Sequence, residues 1–113
     1  MYVRMARFEG GRGSEIDAQI GSIQSDLEAV GRGEPSRFLP VRAIGLIERM
    51  ELLVDRQRGA VSMLLYCRDE SGARELDRIM DGIQPQNEGW GRRVSSDIYE
   101  LALTQELGAR RAA

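Results

Sequence analysis

Residues 50–67, Met-Glu-Leu-Leu-Val-Asp-Arg-Gln-Arg-Gly-Ala-Val-Ser-Met-Leu-Leu-Tyr-Cys, constrain the fold more than any other stretch of this chain. Two apolar runs flank Asp55-Arg56-Gln57-Arg58-Gly59, and together they read as two strands joined by a tight turn. Asp55 can open such a turn, and Gly59 supplies the positive φ that a short hairpin with a bulge requires. A helical pattern lies on either side, so the element order becomes strand, helix, strand, strand, helix, strand.

The flanking segments supply the remaining elements. Residues 2–9 alternate loosely as a first strand, ended by Gly10-Gly11-Arg12-Gly13. Ser14 is placed to cap a helix, with Glu15 and Asp17 favourable to its dipole. Ile16, Ile20, Ile23, Leu27 and Val30 then form one apolar stripe, which Gly31 ends. Residues 31–40 hold two glycines and two prolines and read as an irregular connection. Residues 41–48 fit two patterns: Val41, Ile44 and Ile47 a short helix, and Ile44, Leu46, Met50, Leu52 and Val54 one face of a strand. The expected second strand runs from about Leu46 to Asp55, and the third from Ala60 to Cys67. Asp69 caps a second helix with the stripe Ala73, Leu76, Ile79, Met80 and Ile83, which residues 85–91 break. Arg93 to Leu103 reads as the fourth strand. Residues 1–103 are thus expected as one domain, with 104–113 as a tail.

Two strand-helix-strand units with right-handed crossovers give an α+β, ferredoxin-like βαββαβ fold. The expectation is a four-stranded antiparallel sheet with both helices on one face and spatial order four, one, three, two. A sheet with one wet face should alternate apolar and polar residues. Strand three instead sends Val61, Met63 and Leu65 to one side and Ala60, Leu64 and Tyr66 to the other, and Leu53 adds to the second side. The helix-free face therefore calls for a cover, and a second copy of the same sheet is the simplest one. The expected partner is the chain itself, in a homodimer.

Composition removes many chemistries. All sixteen basic residues are arginine, and there is no histidine. Without histidine there is no Ser-His or Cys-His pair and no imidazole ligand for zinc or haem iron. Without lysine there is no Schiff base, no pyridoxal anchor and no phosphate-loop lysine. Acid–base work would fall to Asp, Glu, Tyr or Cys67, since arginine is effectively never deprotonated. No haem, flavin, pyridoxal phosphate or metal is expected. A net charge of −2 gives no electrostatic case for nucleic acid or an anionic membrane, and no apolar run reaches membrane-spanning length. A lone Cys67 suits a reducing compartment, so a cytoplasmic protein is expected.

Arg7-Phe8-Glu9-Gly10, the hairpin Leu53-Val54-Asp55-Arg56 with Gly59, Leu64-Leu65-Tyr66 and Tyr99-Glu100 resemble the dimeric α+β-barrel superfamily, closest to its antibiotic-biosynthesis-monooxygenase-like branch. The similarity spans most of residues 2–103. It implies a ferredoxin-like fold whose sheets meet face to face as a dimeric barrel. Members include cofactor-independent oxygenases of aromatic polyketides, haem-degrading enzymes and lactone isomerases. The haem-degrading branch uses Asn in strand one, His on helix two and Trp in strand three. Here Ala6 precedes Arg7, helix two has no His and Tyr66 stands near the Trp position, so that activity is not expected. The oxygenases use Asn, Trp, Tyr and Arg around an apolar pocket. This chain offers Tyr66, Trp90, Arg92 and Tyr99, with its only Asn, Asn87, in a loop.

Three function classes stand: a homodimer binding a small apolar or aromatic molecule, a cofactor-free monooxygenase, isomerase or cyclase, and a structural dimerisation module. Any ligand site is expected between sheet and helices or in the dimer lumen, lined by Phe8, Met50, Leu64, Tyr66 and Tyr99. Trp90 would serve as a lid or a partner anchor, and Arg7 and Arg92 would orient an acidic or enolate oxygen. The competing expectation is that these side chains interdigitate and leave no cavity. Tyr66, Glu48 and Tyr99 are the candidate catalytic groups. Glu48 falls in register with Met50 and Leu52, where it is either a desolvated base or an arginine's partner. Glu100 carries the same ambiguity. Cys67 reads as a small buried apolar residue, and Gly10-Gly11-Arg12-Gly13 and Gly31-Arg32-Gly33 read as turns.

Overall fold

The computed structural model describes residues 1–83 and 90–108. Of the segment 85–91 expected to break the second helix, residues 85–89 with Asn87 lie outside the described residues, as does the end of the expected tail. The elements are β1 (Tyr2–Gly10), α1 (Gly13–Gly31), α2 (Val41–Ile44), β2 (Arg49–Asp55), β3 (Ala60–Cys67), α3 (Glu70–Gly82) and β4 (Gly91–Glu100). The strands form one antiparallel sheet in the order β2-β3-β1-β4. This is an α+β architecture compatible with a ferredoxin-like fold.

The hairpin closes as its residues dictate. Asp55 pairs with Ala60, its Oδ1 accepts from the Arg58 backbone N–H at 3.2 Å, and Gly59 has φ +66°. A Cβ at Gly59 would lie 2.3 Å from the Gly11 carbonyl oxygen, because the Gly11 N–H donates to the Gly59 carbonyl at 3.1 Å. The hairpin tip is therefore clasped to the end of β1. Asp69 caps α3, its Oδ1 accepting from the Gly72 N–H at 2.8 Å, and this bond leads the effects that hold its carboxyl below the usual carboxylate range.

Three boundaries differ from expectation. Residues 41–44 are helical and 45–48 a turn, so β2 begins at Arg49 rather than Leu46. Pro40 presets the entry to α2, since it needs no amide hydrogen there and its φ of −63° already suits the approach. α1 starts two residues earlier than Ser14 would place it, with Arg12 at the cap position and no side-chain capping bond. β4 runs over Gly91–Glu100 rather than 93–103, and the Leu101 N–H adds one further bond to the Met1 carbonyl.

Register divides the side chains cleanly. Phe8, Ala6 and Arg4 of β1 stand opposite Val61, Met63 and Leu65 of β3, which in turn face Val54, Leu52 and Met50 of β2. These point toward the helices and form the interior in two clusters. One gathers Leu65 and Cys67 with Leu76 and Ile79 of α3 and Ala43 of α2, and the other gathers Ala6, Phe8, Val61 and Trp90 with Ile16 of α1. Met63 packs against both. The opposite face carries Met5, Leu53, Leu64, Tyr66 and Tyr99 among Arg7, Arg49, Glu51 and Asp97. Leu53 is 57% exposed and Tyr99 48%. No described helix is long and apolar enough to cross a membrane.

Candidate functional site

Among the described residues, the seam between the two interior clusters is not filled. A cavity of about 140 Å³ lies there, walled by the sheet on one side and by α1, α3 and the 38–39 segment on the other. Its origin is in α1. Ile16 is fully buried against the sheet, but Ile20, Ile23, Leu27 and Val30, further along the same stripe, are only half-buried. The later turns of α1 thus cover the sheet less closely, and a wider groove opens between Ile20, Gln24 and Leu27 of α1 and Met50 and Leu52 of β2. Ile23, Leu27 and Met50 border both spaces, which makes the groove a natural entrance.

The cavity walls combine aromatic rings, flexible thioethers and branched aliphatic side chains. Phe8 and Trp90 sit with ring centroids 6.4 Å apart and planes tilted 39°, a favourable aromatic pairing. Met50, Met63 and Met80 come from β2, β3 and α3, and unbranched thioether side chains adapt readily to occupants of different shape.

Polar groups enter at two edges. Asp26 of α1 is 4% exposed, accepting from Ser36 Oγ at 2.5 Å and the Arg37 N–H at 2.8 Å. Ser36 Oγ in turn accepts from the Phe38 and Leu39 N–H groups, so Asp26 anchors the connection that brings Phe38 and Leu39 to the cavity. At the other edge, buried Arg4 of β1 donates from Nε to Asp77 Oδ1 of α3 at 2.8 Å. Asp77 also accepts from Ser96 at 2.9 Å, and Arg93 of β4 pairs with Asp81 at 3.0 Å. Burial pushes the Asp77 carboxyl up, but the bonds from Arg4 and Ser96 and the charges of Arg4 and Arg93 outweigh it and hold the group low.

The residues expected to line a site are divided between the two faces of the sheet. Phe8, Met50 and Trp90 line the cavity, and Trp90, 4% exposed, is one of its walls. Leu64, Tyr66 and Tyr99 lie on the helix-free face. There the Tyr66 hydroxyl donates to Glu51 at 2.6 Å and the Arg49 guanidinium lies 4.1 Å from its ring centre. Glu48 lies just before β2, exposed, with its carboxylate 3.3 Å from Arg68. Cys67 is fully buried, and burial pushes its thiol up, away from the reactive thiolate.

The two arginines at the cavity edge are Arg4 and Arg93 rather than Arg7 and Arg92. Simple alternation from Ile98 through Ser96 would send Val94 and Arg92 inward. A bulge opposite Arg7 and Phe8 pairs Phe8 with Arg93 instead, which turns Arg93 inward and Arg92 out beside Glu9. Arg7 points to the helix-free face and pairs with Glu9 at 3.1 Å. Two signals for the missed groups were present in the chain. Arg4 shares parity with Ala6 and Phe8, and Asp26 falls three residues after Ile23 and four before Val30, within the apolar stripe.

Among the described residues, no group of three or more Cys, Asp or Glu side chains is arranged to hold a metal ion. Searches against protein-family models, curated proteins and solved structures give no match to this chain.

Proposed function

We propose that the protein binds a small, mainly apolar molecule in the cavity between its helices and its sheet. The observation that carries this reading is the unfilled seam itself. Natural cores pack to crystal-like density with few voids larger than a water molecule, and an apolar space of this size forgoes contacts that an occupant restores. A benzene-sized ring fits it, since a comparable apolar cavity of about 150 Å³ takes up benzene. Titrating the protein with ethylbenzene while following the fluorescence of Trp90, the single tryptophan, tests the proposal. Saturable change at one site per chain is expected, and an unresponsive Trp90 together with no calorimetric heat would refute it.

The same reading extends to assembly. The helix-free face mixes exposed Leu53 and Tyr99 with Arg7, Arg49, Glu51 and Asp97. A second copy related by a two-fold axis offers apolar groups to apolar groups and both signs of charge to each other. This is the dimeric α+β-barrel arrangement that the sequence resembles. A cytoplasmic location belongs to the same proposal, supported by a single cysteine held in the core.

A further inference from the structure

Arg4 carries unused chemistry at the cavity edge. It is 1% exposed, and its Nε is committed to Asp77. Its Nη2 lies 3.8 Å from Asp81, close enough for charge attraction but beyond hydrogen-bond length. Among the described residues this buried Nη2 has no hydrogen-bond partner. A guanidinium N–H taken out of water without an acceptor is costly, and Arg4 lines the cavity. An oxygen brought in by the occupant would supply the missing acceptor.

We infer that the occupant is an aromatic ketone-type molecule whose uncharged carbonyl oxygen accepts a hydrogen bond from Arg4 Nη2. The inference rests on the binding reading above. Charge at the site selects an uncharged oxygen over a carboxylate. Arg4 and Arg93 are already matched by Asp77 and Asp81. Asp26, the one carboxylate among the described residues that line the cavity, is engaged by Ser36 and the Arg37 backbone, with the Arg37 guanidinium 3.9 Å away. A ligand carboxylate would add a charge for which the described residues at the cavity offer no unmatched cation, whereas a carbonyl satisfies the donor without that penalty. The apolar body then occupies the space beside Phe8, Trp90 and Met63.

The test compares ethylbenzene, acetophenone and benzoate, which share one ring and differ in the acceptor, by calorimetry on the whole chain. Acetophenone is expected to bind about tenfold more tightly than ethylbenzene, the gain from one hydrogen bond to a charged donor. Benzoate is expected to bind more weakly than acetophenone. The carbonyl stretch of bound acetophenone should move to lower frequency, and both the shift and the preference should disappear in Arg4→Met. If that variant does not fold, the wild-type affinity ratio and carbonyl frequency still decide. Equal affinity for ethylbenzene and acetophenone with an unmoved carbonyl band overturns the inference and leaves the apolar-binding reading standing. Benzoate as the tightest ligand overturns the uncharged oxygen. Absence of binding by all three overturns both readings.

Discussion

Replacing Ala6 with leucine asks directly whether the cavity is usable space. Ala6 is 1% exposed, sits in mid-strand between Met63 and Ser96, and lines the cavity. In a filled core, added methylenes force side chains off their rotamers and cost about 1–3 kcal/mol. In an empty apolar space the sign reverses. Three additional carbons gain about 2.4 kcal/mol on burial, of which fixing the leucine rotamer removes about 0.5–1 kcal/mol, leaving ~1.5 kcal/mol of added stability. For a chain of 113 residues that corresponds to a rise in Tm of about 6 °C. Thermal unfolding by circular dichroism and urea denaturation by Trp90 fluorescence should agree on the gain, and ethylbenzene binding should be lost in the same variant. Destabilisation by about 1 kcal/mol or more with ethylbenzene affinity unchanged would show that position 6 points into packed core and that the cavity is not usable space.

Further outcomes follow from the two faces of the sheet. Tyr66→Phe removes the hydroxyl bonded to half-exposed Glu51 and should cost about 0.5–1 kcal/mol in urea denaturation. Because Tyr66 faces away from the cavity, its loss should leave ethylbenzene affinity unchanged, and a weakened affinity would count against the assignment of faces. Leu53→Glu places a charge on the exposed apolar part of the helix-free face, and light scattering should show a wild-type dimer and a monomeric variant. A wild-type chain that is monomeric at micromolar concentration would exclude the dimer. Asp77 sets an acid dependence: its carboxyl is held low in the fold, so its contribution is complete above about pH 4 and is lost as the pH falls through the lower folded value. Asp77→Asn should therefore reduce stability at neutral pH and flatten its decline below about pH 4, and an unchanged acid limb in urea titrations would contradict the Arg4–Asp77 pairing.

The strands, α1, α3 and the hairpin were legible because periodicity and turn chemistry agree there. Gly59 and Asp55 specify the turn locally, and Ala73, Leu76 and Ile79 are buried as their spacing implies. Residues 41–48 were not legible, since Ile44 satisfies both periods and the choice depends on Pro40 and on docking against α3. The site was half legible. Phe8 and Met50 follow from parity and bulk, whereas Trp90, outside any strand, was expected as a lid or partner anchor and is a buried wall. Leu64, Tyr66 and Tyr99 required a decision about which face is covered, which a single strand's alternation does not contain. The exchange of Arg92 for Arg93 depends on one bulged residue near Val94, a feature of pairing rather than of local pattern. Asp26 became intelligible only through Ser36, ten residues away in sequence.

Methionine methyl NMR places the ligand most directly. The chain has five methionines: Met50, Met63 and Met80 line the cavity, Met5 lies on the opposite face, and Met1 is the exposed first residue. With ¹³C-methyl methionine and added ethylbenzene, intermolecular NOEs are expected to Met50, Met63 and Met80 and none to Met5. NOEs confined to Met5, or shifts at none of the five methyls under saturating ethylbenzene, would contradict a binding site between helices and sheet.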